Sequence, residues 1–190
     1  MNMMKRNISY FMAASLLLAT PSYSFGDGSE RSTNATRIVE YARGYLNTEY
    51  NFGGRLTKNN PGLDCLGLLF LAYSKATKTS WLGLSVNPSQ LVKSKKLGEP
   101  VKGLEGILCK EVDVSRLEEG DVIYLLSRIA LNDRSLVKIN GVDYWPWHVI
   151  LYSNKKRNLS LEANPVLGVV ELDFDEILKS NEAIFVTRIQ

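Results

Sequence analysis

Apolar and polar positions recur at two different periods along the chain. From Ser32 to Asn47, "STNATRIVEYARGYLN" puts Ile38, Val39, Ala42, Tyr45 and Leu46 on one face at helical spacing. This predicts a first helix capped by Ser32, Thr33 or Asn34 and ending near Asn47. A glycine-rich stretch through Gly53, Gly54 and "NNPG" reads as a loop, and Asp64 then caps a second helix, "CLGLLFLAYSKAT". That helix is apolar nearly all round, the pattern of a helix buried in the middle of a domain. Asn87 followed by Pro88 starts a short third helix through Leu91 and Val92, because proline suits the first helical position.

Beyond Glu119 the period shortens to two. Asp121 to Leu126, His148 to Ser153, Leu159 to Ala163, Gly168 to Phe174 and Ala183 to Ile189 are short runs rich in β-branched and aromatic residues, separated by turn signals. "KINGVDY" adds a hairpin, since Asn140-Gly141 suits a two-residue type I′ turn. Helices first and strands afterwards predict an α+β domain, with N-terminal helices packed on a C-terminal antiparallel sheet.

The chain begins differently. "MNMMKRNISYFMAASLLLATPSYS" joins a basic start at Lys5 and Arg6 to a short apolar stretch and small residues, the three-part pattern of a secretory signal over residues 1–24. Residues 25–33 read as a flexible leader, and 34–190 as one domain. Export is therefore the expectation, to the periplasm, the cell wall or the medium, with no stable membrane insertion once the signal is cleaved. Without Lys5 and Arg6 the formal charge falls from +3 to +1, and no basic stripe remains to neutralise a run of phosphates. Nucleic acid is excluded as a partner on that ground.

The chain has two cysteines and one histidine, too few for metal-ligand spacing. In an exported protein Cys65 and Cys109 are able to pair as a disulfide. Alternatively, Cys65 is a buried apolar side chain or a nucleophile at the start of the second helix, where backbone N–H groups and the helix dipole favour negative charge. A thiol nucleophile needs a base, and His148 is the one histidine available. It needs a third, polar group from the neighbouring strand to orient the ring. "LSLEANP" offers Glu162 and Asn164, two residues apart and so on one sheet face.

Four motifs now stand in order: Tyr50-x-x-Gly53-Gly54, Asp64-Cys65-x-Gly67, Glu119-Gly120-Asp121, and His148-Val149-x-x-Tyr152. From about Ile38 to the C-terminus this resembles the NlpC-type cysteine peptidases of bacterial cell walls, which have a papain-like fold. The "LSLEAN" ending is also similar to the CHAP amidases, where a Glu and an Asn follow the histidine. The resemblance implies hydrolysis of amide bonds in peptidoglycan stem peptides without a cofactor, with Cys65 as nucleophile and His148 as base. It implies Glu162, and after it Asn164, as the orienting residue, and Tyr50 and Asp64 near the thiol or oxyanion. Trp147, in "YWPWH", either walls the substrate cleft or covers the sheet edge. The chain departs from the family pattern at Leu66, usually Ser, and at Ile150, usually a small residue. Two other readings fit the same scaffold: an inactive exported binding protein with Cys65 tied to Cys109, and an antibacterial amidase toxin. The sequence leaves the oligomeric state open.

Overall fold

The computed structural model describes residues 33–128 and 135–189. The signal sequence and nearly all of the leader expected at residues 1–33 lie outside the described residues, as do residues 129–134 and 190. The expected α+β class is the one observed. Helix α1 (Asn34–Arg43) is capped by Thr33, whose Oγ1 accepts from the Thr36 N–H at 3.3 Å. Ile38, Val39 and Ala42 are buried as the periodicity requires. The helix stops at Arg43, however, and turns through Asn47 in the left-handed region, so Leu46 leaves the apolar face and is exposed.

The loop expected next contains a small hairpin, β1 (Arg55–Thr57) and β2 (Asn60–Leu63). Its strands are too short and too rich in Gly and Pro to show alternation. Helix α2 (Cys65–Thr77) comes next, with Asp64 as its cap. Helix α3 (Pro88–Lys93) has Pro88 in its first turn, and Asn87 Oδ1 accepts from Ser89 and Gln90.

One large antiparallel sheet forms the rest. It contains β3 (Glu99–Leu108), β4 (Val122–Arg128), β5 (Val137–Ile139), β6 (Val142–Asn154), β7 (Leu159–Asn164), β8 (Gly168–Asp173) and β9 (Ala183–Arg188). The order across the sheet is β3-β9-β4-β6-β7-β8, with β5 also paired to β6. Asn140 and Gly141 both have positive φ between β5 and β6, as a type I′ turn demands. Strand β3 was not expected, because Pro100, Gly103 and Gly106 break its pattern and its register against β9 slips at two places. Phe174 was expected to end a strand, yet it opens helix α4 (Phe174–Ser180), capped by Asp173.

Alternation divides the core. Val122, Tyr124, Leu126, Val149, Leu151, Leu161, Ala183 and Phe185 face α1, α2 and α3. Ile123, Leu125, Ile150, Tyr152, Ile184 and Val186 face the other way and meet Phe174, Leu104 and Leu117. The Glu119-Gly120-Asp121 motif is structural. Asp121 binds the Arg188 guanidinium through both carboxylate oxygens at 2.7 Å and accepts from the Glu118 N–H, at the mouth of β4.

Strand β6 is irregular in two places, both close to His148. Leu125 pairs with His148 but Leu126 pairs with Pro146, so Trp147 is an extra residue, a β-bulge. The bulge shifts the parity of the strand: Tyr144 and Val149, an odd number of residues apart, lie in the same core layer, which an unbroken pleat forbids. Pro146, with no N–H to give, sits where the ladder is already interrupted. Second, the paired run between β6 and β7 begins at Leu151 and Leu161, and towards His148 and Glu162 the strands part.

The first turn of α2 lies hard against the loop before β1. A Cβ on Gly67 would come 2.1 Å from the Gly54 carbonyl oxygen, and one on Gly54 would meet backbone oxygens of Gly62 and Asn51 at 2.6 and 2.7 Å. Backbone cannot yield as a flexible side chain can. Gly67→Ala is expected to destabilise the protein by about 1–3 kcal/mol in urea unfolding, and an unchanged midpoint would show that the loop does not rest on the helix.

Candidate functional site

Cys65 occupies the first turn of α2, and Asp64 determines how that turn is held. Asp64 Oδ1 accepts from the Gly67 N–H at 2.6 Å and from Arg55 Nη1 at 2.6 Å, while Oδ2 accepts from the Gly53 N–H at 2.9 Å. Arg55 also donates to the Gly54 carbonyl and lies over the rings of Phe70 and Trp81, at 5.6 and 6.0 Å from their centroids. The nearly buried carboxylate thus joins the helix cap, the Gly53-Gly54 loop and a guanidinium. These contacts fix the first turn of α2, on which Cys65 sits. Sequence reasoning passed over Arg55, whose one signal is a lone cation next to the paired glycines.

Tyr50 approaches from the other side. The Glu49 carbonyl accepts from the Leu63 N–H and the Leu63 carbonyl from the Asn51 N–H, both at 3.1 Å, so the chain around Tyr50 runs beside the residue that leads into Asp64 and Cys65. Burial, then the nearby Cys65 and Asp64 charges, push the Tyr50 phenol above its usual range. It is therefore a hydrogen-bond donor at neutral pH.

Where β6 and β7 part, side chains replace the backbone ladder. His148 Nε2 and Glu162 Oε2 lie 2.8 Å apart, and both residues are almost fully buried. Glu162 Oε1 accepts from Asn164 Nδ2 at 2.8 Å, and Asn164 Oδ1 in turn accepts from the Val166 and Leu167 N–H groups in the turn before β8. The two candidates for the orienting role are therefore linked in series: Glu162 touches the ring, and Asn164 holds Glu162. With Nε2 taken, Nδ1 is the nitrogen left for the Cys65 thiol, a neighbour near enough to raise the basicity of the ring. Strand parity alone aims His148 towards the layer of Ile150 and Tyr152, away from α2. The bulge beside it and the gap between β6 and β7 open the route to Cys65, which packs among Leu68, Leu69, Val149 and Leu161.

Of the "YWPWH" aromatics, Tyr144 is buried in the core, Trp145 is half-buried, and Trp147 is 46 % exposed. The Trp147 ring stacks on the His148 imidazole, with centroids 5.2 Å apart and planes inclined by 26°. Cys109 is far from this constellation in the fold. It belongs to the opposite core layer, and burial, then the Glu182 charge, raise its thiol to about 11. Both cysteines are free, and the disulfide weighed in the binding-protein reading does not form. Among the described residues no group of His, Cys, Asp and Glu is arranged to hold a metal ion.

The electrostatics are a consequence of this packing. Burial pulls the His148 imidazole down, but hydrogen bonds and charges from Cys65 and Glu162 outweigh it and lift the ring to about 9. Burial likewise pushes Glu162 up, and its bonds to His148 and Asn164 with the His148 charge prevail, holding it below its ordinary 4.5. A half-buried thiol thus adjoins a buried imidazole, which in turn is bonded to a buried carboxylate.

The chain matches no protein-family model and no curated protein. Among solved structures it is similar to a Staphylococcus aureus protein, similar to lipoprotein, of the NLP/P60 family, with 21 % identity and a TM-score of 0.46. The match covers 91 % of this chain and 46 % of that one, so this chain spans less than half of that protein's length.

Because His148 is raised above its ordinary 6.5, the stability it contributes is complete below that pH and is lost as pH climbs through about 9. Glu162, held low, contributes above 4.5 and loses its share as pH falls. Urea midpoints are expected to peak between these limits. The chain's one histidine should titrate near 9 in NMR and move down in both Cys65→Ser and Glu162→Gln. An unshifted titration in either variant would remove that partner from the array.

Proposed function

We propose that this protein is an exported cysteine peptidase or amidase of the NlpC/P60 type, on a papain-like scaffold, that hydrolyses amide bonds in peptidoglycan stem peptides. The observation that carries the reading is one buried imidazole with a carboxylate 2.8 Å away on one side and, as its electrostatic neighbour, a thiol in the first turn of a helix. The order of the sequence motifs supports it, as does the signal-like start of the chain. Among the described residues no helix is long and apolar enough to cross a membrane.

In this mechanism Cys65 Sγ attacks the carbonyl carbon of the scissile amide. The oxyanion accepts from the Cys65 backbone N–H in the first turn of α2 and from the Tyr50 hydroxyl. As the carbon–nitrogen bond breaks, His148 gives its proton to the departing amine, leaving an acyl group on sulfur as a thioester. Water then attacks that carbon while His148 takes its proton, the carbon–sulfur bond breaks, and the carboxylic acid and the free thiol remain. Glu162 keeps Nε2 engaged so that Nδ1 faces the sulfur, and it offsets the imidazolium charge. Asn164 keeps Glu162 in place. No step needs a metal or an organic cofactor.

The disulfide that would have tied up Cys65 in a binding protein is absent. A toxin directed at another cell's wall would perform the same chemistry. Digestion of purified peptidoglycan by wild type and by Cys65→Ala, with mass spectrometry of the products, tests the proposal. New stem-peptide fragments from wild type alone are expected. A correctly folded, reduced wild type that releases none would refute the peptidoglycan substrate.

A further inference from the structure

Trp147 takes no part in the mechanism, and its placement is unusual for a strand. Neighbouring residues on an unbroken strand point to opposite faces and cannot stack on each other. Trp147 and His148 do stack, because Trp147 is the extra residue of the bulge in β6 and the alternation fails between them. The indole does little for the core: it is 46 % exposed, whereas the imidazole beneath it is 5 % exposed.

We infer that Trp147 is a positioning residue for His148, lying as a flat cover on the imidazole so that the ring stays in line between Cys65 and Glu162 and one face of it is closed to water. The inference rests on the proposed thiol–imidazole pair. Glu162 and Cys65 hold the ring by two of its edges, and edge contacts alone leave it free to rock about the line joining them. A ring whose centroid lies 5.2 Å from that of the imidazole, inclined to it by 26°, opposes that motion. It also presents a π face to a ring that carries positive charge, a favourable arrangement where water is excluded. The side chain that could wander most, at the open end of two parted strands, is thus held from three directions.

The test needs no substrate, so it stands apart from the peptidoglycan experiment. In wild type, the ring proton between His148 Nε2 and Glu162 should appear as a slowly exchanging downfield NMR signal, unambiguous because the chain has one histidine. Trp147→Phe keeps a flat cover and should retain the signal. Trp147→Ala should lose it to exchange with water, and alkylation of Cys65 by iodoacetamide should slow by about tenfold as the ring leaves line. Trp147→Leu keeps apolar bulk without a flat face, and its ring proton should exchange faster than in Trp147→Phe. Thermal melts verify folding, and if the alanine variant is unfolded the Phe and Leu pair decides. Unchanged proton exchange and alkylation in a folded Trp147→Ala, or equal exchange in the Phe and Leu variants, would overturn the inference.

Discussion

The parting of β6 and β7, bridged by one buried hydrogen bond between His148 and Glu162, is the feature on which the site depends. Taking an imidazole and a carboxylate out of water is unfavourable unless each is paired and further bonded. Both conditions are met. The second Glu162 oxygen is bound by Asn164, which is fixed by backbone N–H groups of the turn before β8, and the other side of the ring reaches Cys65. A side-chain bridge thus stands where the backbone pairing of β6 and β7 ends.

The Cys65 side is organised by a second buried carboxylate. Asp64 caps α2, binds the Gly53 N–H and pairs with Arg55, so helix, loop and cation meet one residue before the thiol. Close backbone contact between Gly54 and Gly67 makes the two glycine motifs a packing requirement. The motif residues therefore divide by physics. Asp64, Gly54, Gly67 and Asp121 build the frame, while Cys65, His148 and Glu162 carry the charge and proton relations that the frame makes possible.

Much of this was legible in the amino-acid sequence where a local rule dominates. The Asp64 cap, the apolar run of α2, the Asn140-Gly141 turn and the alternating strands β4 and β6 to β9 are local signals, and the α+β class came from their order. Strand β3, the β1–β2 hairpin and α4 were not legible. Strand β3 is set by β9, distant in sequence, and carries Gly and Pro; the hairpin strands are three and four residues long, and a seven-residue helix shows too little periodicity. The bulge at Trp147 depends on its register with β4, so Trp147 stood only as a cleft wall or an edge cover. Equally, a spacing of two placed Glu162 and Asn164 on one face without showing that they act in series, and Arg55 had no pattern until Asp64 was seen to bind it.

In the proposed mechanism His148 activates Cys65, and the chain carries its own control in Cys109, a free thiol buried in the other core layer. The most direct test is alkylation of the native protein with iodoacetamide at neutral pH, located by peptide mass spectrometry, in wild type and His148→Ala. Rapid modification of Cys65, slow modification of Cys109, and loss of the Cys65 preference when the imidazole is removed are expected. Equal Cys65 rates with and without His148, in folded proteins, would contradict it.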